Sequence, residues 1–115
     1  MDTLELITAP ITLLRLKEIA EKRFGDMVKG VVDVEKQIMV LGGELHADEE
    51  AFLLESGSQQ RDLWGINLYP GMGGADFLEF DSMINIRPSQ NNRSRGVEDP
   101  AIRLKIETIV RKLVP

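Results

Sequence analysis

Residues 27–41, "MVKGVVDVEKQIMVL", constrain this chain more than any other stretch. Two β-branched runs, Met27 to Val34 and Gln37 to Leu41, stand with only Glu35 and Lys36 between them. Such runs form a β-hairpin, although the usual Asn-Gly turn signal is absent. A second pair of strands reads from "LWGINLYP" and "DFLEFDSMINIRP", joined through the glycine-rich "GMGGA", with Pro88 ending the second strand. The short "LELI" near the start reads as a further strand.

Helices flank the two hairpins. The first opens with Thr8 or Ala9 at its cap and Pro10 in its first turn. Its apolar positions are Leu13, Leu16, Ala20 and Phe24, and Gly25 stops it. "ELHADEEAFLLESG" predicts a short second helix whose first turn carries Asp48, Glu49 and Glu50, a placement that suits the helix dipole. In "EDPAIRLKIETIVRKL", Asp99 is the N-cap and Pro100 the first helical residue. The apolar stripe there runs through Ile102, Ile106, Ile109, Val110 and Leu113. The sum is a single α+β domain over residues 1–115: an antiparallel sheet of about four strands, in two hairpins, with helices packed mainly on one face.

Composition narrows the chemistry. The 115 residues include no cysteine and one histidine, which removes disulfides, thiol nucleophiles, cysteine-based metal sites and any multi-histidine centre within one chain. The start "MDTLELITAP" lacks a signal-peptide pattern and no apolar run approaches the ~20 residues of a membrane span, so the expectation is a cytoplasmic protein without a membrane partner. The net charge of −5 is uneven: residues 1–86 carry 7 Lys+Arg against 16 Asp+Glu, and residues 87–115 carry 7 against 3. The basic end can soften self-repulsion or bind phosphate or carboxylate. An acidic body opposes binding to long nucleic acids.

Strand alternation collects the polar residues. With Trp64, Ile66, Leu68, Val28 and Val32 turned toward the helices, Asp33, Asn67, Asp81, Asn85 and Arg87 share the opposite face. A solvated sheet face is the plain reading. Asn and Asp are nevertheless poor strand formers, so their presence asks for a local reason: mutual hydrogen bonds, loop anchoring or a ligand. His46, flanked by Glu44 and Asp48, has neighbours that favour its charged form, and it is the candidate general base. In "NIRPSQNNRSRG", Arg87, Arg93 and Arg95 can make forked bonds to an anion, with Asn92 shaping the loop. No Walker loop or G-x-S-x-G elbow is present, and no motif names a cofactor.

"GGELHADEE", "DLWGINLYPG" and "FDSMINIRPSQNNRSRGVEDP" together resemble a family of small bacterial and archaeal proteins known only as a domain of unknown function. The resemblance implies one cytoplasmic domain and assigns no activity, substrate or residue role.

Three functional readings follow. The first is a site for a small anionic or phosphate-containing ligand, bound or hydrolysed, at the polar face capped by residues 87–95. Here His46 is the base, Asp33 and Asp81 are water or metal ligands, and Asn67, Asn85, Arg87, Asn92, Arg93 and Arg95 are ligand contacts. The second is a non-catalytic interaction module or homo-oligomer using Trp64, Tyr69 and Met72. The third is a ribonuclease-like or RNA-binding protein, resting on the basic C-terminal end alone.

Overall fold

The computed structural model describes residues 4–115. Five strands form one sheet: β1 (Glu5–Ile7), β2 (Val28–Asp33), β3 (Ile38–Leu41), β4 (Leu63–Leu68) and β5 (Leu78–Glu79). Their order is β1-β3-β2-β4-β5, and every neighbouring pair is antiparallel. The β2–β3 hairpin lies at the centre, and the "LELI" segment adds the fifth strand by pairing Leu6 with Val40.

Three helices cover the sheet: α1 (Leu13–Glu21), α2 (His46–Glu55) and α3 (Pro100–Leu113). The strand residues with even numbers in β2 and β4, among them Val28, Val32, Trp64, Ile66 and Leu68, pack with Leu16, Ile19 and Ala20 of α1 and with Ile106, Ile109, Val110 and Leu113 of α3. The alternate set makes a smaller second core, in which Val31, Val40 and Leu63 meet Leu53 of α2, with Phe52 and Ile84 at its margin. Two helices thus share one face, and α2 lies across the other. The face expected to carry exposed polar residues is therefore largely covered.

Local chemistry explains the element ends. Asp99 caps α3 by accepting from the Ala101 N–H at 2.8 Å, and Pro100 occupies the first helical position, where its missing N–H loses no bond. The first helix starts later than the Thr8–Pro10 signal predicts. The Thr12 hydroxyl takes the Arg15 N–H at 3.0 Å, and the preceding chain is held extended where the Ile11 N–H meets the Leu113 carbonyl. Gly25, at φ +89°, closes the C-terminal turn by donating to Ala20.

The largest departure is the last strand. The sequence predicts one long strand up to Pro88, yet β5 ends at Glu79 and residues Met83–Asn85 form a 3₁₀ turn. The reason lies in Gly65, where any Cβ would overlap Ser82, so the chain crosses close over β4 instead of running beside it. A side chain then supplies the missing ladder partner. The Asn85 carboxamide accepts from the Gly65 N–H at 2.8 Å and donates to the Gly65 carbonyl at 3.0 Å, as an opposing strand would.

Among the described residues no helix is long and apolar enough to cross a membrane.

Candidate ligand site on the α2 face of the sheet

Strand register puts Lys29, Asn67 and Glu79 in one row across β2, β4 and β5, on the face covered by α2. Asn67 is buried, and its Nδ2 donates to Glu79 Oε1 at 2.9 Å and to the Asp81 carbonyl at 3.2 Å. Tyr69, two residues along the same strand face, donates its hydroxyl to the same Glu79 oxygen at 2.9 Å. Asp81 is tied by its carboxylate to Arg95 Nε at 2.6 Å, and that pair is open to solvent. Asn67 Oδ1 is buried without a hydrogen bond of ordinary geometry, and its polar neighbour is the His46 ring, whose charged form it favours.

His46, the first residue of α2, leans onto this row. Its Nε2 lies 2.8 Å from the Ile66 carbonyl. A carbonyl only accepts, so Nε2 carries the proton and the neutral ring keeps its lone pair on Nδ1. Burial holds the imidazole below its ordinary pKa, and the charge of Lys29 adds to the effect, against the pull of Ile66, Asn67 and Asp81. The expectation from Glu44 and Asp48 was the reverse. Desolvation wins because the ring is under the helix, where the flanking acids do not reach it.

The other acids of α2 divide. Asp48 is exposed in the first turn, as the helix dipole favours, but Glu49 is fully buried. Its Oε2 accepts from the Gly43 N–H at 3.0 Å and its Oε1 has no partner. Burial pushes its pKa up to about 9, so Glu49 is a neutral acid at pH 7 and not the helix-start charge the sequence suggests.

Of the residues singled out from sequence, His46, Asn67, Asp81 and Arg95 come together here. The rest do not. Asp33 lies four residues, about 13 Å, along β4 from this row and is consumed by the hairpin turn. Its Oδ1 accepts from the Glu35 and Lys36 N–H groups, both at 2.9 Å, and its Oδ2 from the Ser58 hydroxyl at 2.6 Å. With both oxygens engaged it is a turn cap and not a water or metal ligand. Asp33→Ala is expected to lower stability by about 2–3 kcal/mol in urea unfolding and to leave ligand affinity at the His46 row unchanged.

Arg87 is likewise turned inward. It is 9% exposed, stacks 4.1 Å from the Trp64 ring centroid, and donates to the Gln60 and Leu63 carbonyls. Burial lowers its pKa, with Glu50 opposing. Asn85 is held by Gly65, and Asn92 organises the loop by donating to the carbonyls of Asn85 at 2.7 Å and Gly96 at 2.8 Å. The loop also carries its own anion. The Glu98 carboxylate accepts from the Arg93 and Ser94 N–H groups, both at 2.8 Å, and those bonds hold Glu98 below the usual carboxylate range. The loop's own N–H donors are thus taken by a carboxylate of the chain, and Arg93 is exposed.

Lys29, Tyr69 and Glu79 were missed as site residues. Alternation already put Lys29, Asn67 and Glu79 on one face, but only the register between β2, β4 and β5 makes them neighbours.

No curated protein and no solved structure matches this chain. The model of the family described as "Protein of unknown function (DUF5674)" matches residues 5–113, nearly the whole chain, and the chain belongs to that family.

Proposed function

We propose that the protein binds a small anionic ligand of the phosphate class against the Lys29–Asn67–Glu79 row, with Lys29 and Arg95 supplying positive charge and His46 a proton acceptor. What supports this reading is the placement of two cationic side chains at the row, Lys29 within it and Arg95 beside Asp81; His46 Nδ1 and Asn67 Oδ1 are acceptors and meet only a protonated or hydroxyl oxygen of the ligand. Unsatisfied buried polar atoms are rare in folded proteins and ask for a ligand or a water. Arg95 is at present neutralised by Asp81, and an incoming phosphate competes with that carboxylate for the guanidinium. With Nε2–H on the Ile66 carbonyl, Nδ1 is the ring's proton acceptor, and hydrolysis of a bound ester would use it to take a proton from an attacking water.

The test is a thermal-shift panel of inorganic phosphate, phosphate monoesters, nucleotides, dicarboxylates and divalent ions, followed by titration calorimetry of any compound that stabilises. A phosphate-type ligand is expected to raise the melting temperature. Its affinity should fall roughly tenfold or more in Lys29→Met and Arg95→Gln and stay unchanged in Arg93→Ala. Release of inorganic phosphate, lost in His46→Gln with binding retained, reads out hydrolysis. A panel without any stabilising compound sinks the proposal.

A further inference from the structure

A groove of about 580 Å³ opens on the other face of the sheet, between α3, β5 and the glycine-rich loop 71–75. Its floor is apolar: Phe77, Leu78 and Phe80 are each half-buried, and Val110 of α3 and Val114 just past its end form the wall behind them. Met72, 53% exposed, stands at the loop side. Half-buried aromatic rings at a concave surface of this volume, within the ~300–1,000 Å³ of typical small-molecule sites, are the ordinary makings of a ligand pocket.

The rim gives the pocket its charged groups. Arg103 lies over the Phe80 ring at 4.8 Å from its centroid, and Arg111 sits two turns further along α3, with Glu107 between them. Neither arginine is in an ion pair among the described residues. Both guanidinium groups thus stand ready at the mouth of an apolar slot, which also holds Glu107 and the carboxylate of Pro115. We infer that this groove binds an amphiphilic monocarboxylate, a medium-length aliphatic chain lying on Phe77, Leu78 and Phe80 with its carboxylate taken by Arg103 or Arg111. A guanidinium suits such a head because its fork matches both carboxylate oxygens. A neutral alcohol of the same chain length forfeits that bond, and a cationic amphiphile is repelled.

The site stands on the sheet face opposite the His46 row, so it holds or fails independently of the phosphate reading. The experiment is titration calorimetry of the intact chain with hexanoate, octanoate, octanol and octyltrimethylammonium, below micelle-forming concentrations, with light scattering on the same samples. Two variants accompany the wild type. Arg103→Gln/Arg111→Gln removes the charge from exposed positions. Gly73→Trp adds an indole to the loop that lines the slot and is compatible with the backbone, because Gly73 is extended at φ −115° and a Cβ there meets nothing within 4 Å.

The expected result is octanoate binding that tightens roughly fourfold per methylene over hexanoate, weakens roughly tenfold in the double arginine variant, and disappears in Gly73→Trp. Octanol binding as well as octanoate would overturn the proposal, as would the absence of heat with either acid. A concentration-dependent dimer that Gly73→Trp abolishes would assign the groove to a second copy of the chain and overturn it as well.

Discussion

Asn85→Ala is expected to lower the free energy of unfolding by about 3–5 kcal/mol, the cost of stranding several buried backbone groups at once. The wild-type carboxamide serves the N–H and the carbonyl of Gly65 and also donates to the Arg95 carbonyl at 2.9 Å. Asn85 is fully buried, so water cannot readily take the place of these bonds. Asn85→Asp should be about as harmful, since a carboxylate would replace the donor that faces two carbonyl oxygens. Arg93→Ala, on the solvent side of the same loop, should change stability by no more than about 0.5 kcal/mol. Chemical denaturation of the three variants measures this directly. A loss of under about 1 kcal/mol for Asn85→Ala would mean that the loop repacks, and that the amide does not stand in for a strand.

Glu49→Gln is expected to stabilise the protein at pH 7 by about 2–3 kcal/mol and to flatten its pH dependence. The folded pKa of about 9 lies above the ordinary value of 4.5, so between these limits the native state holds one proton more than the unfolded chain. The contribution of the protonated form is complete below pH 4.5 and is lost as pH rises to 9, at about 1.4 kcal/mol per unit. Glutamine removes that slope while retaining an oxygen for the Gly43 N–H. The measurement is the difference in unfolding free energy between wild type and variant at pH 5, 7 and 8.5. A constant difference would show that Glu49 is ionised in the native state, with Lys29 and Arg23 compensating its charge. His46 acts with the opposite sign: its lowered pKa means stability is lost as pH falls through the ordinary histidine range near 6.5.

The loop "NIRPSQNNRSRG" illustrates how one polar stretch divides between fold and function. Its amides and arginines suggested an anion clamp. Asn85, Arg87 and Asn92 instead satisfy backbone groups that the truncated β5 and the 3₁₀ turns leave open, and Glu98 closes the N–H pair at Arg93 and Ser94. Asn85, a poor strand former inside an apparent strand, did signal a local need, and that need was structural. Arg95 alone leads from the loop to the candidate site, through Asp81.

What depends on near neighbours can be read from the chain alone. The β2–β3 hairpin, the Asp99–Pro100 start of α3 and the apolar stripes of the strands follow from periods of 2.0 and 3.6 residues and from caps formed within three positions. Tertiary structure alone decided where β5 ends, because that depends on Ser82 crossing over Gly65. It also decided which polar residues meet. Lys29, Asn67 and Glu79 become a row only through strand register, and His46 and Glu49 lose their charged forms only because α2 seats them against the sheet. Register and desolvation arise from contacts between segments far apart in the chain, and no local pattern of residues encodes them.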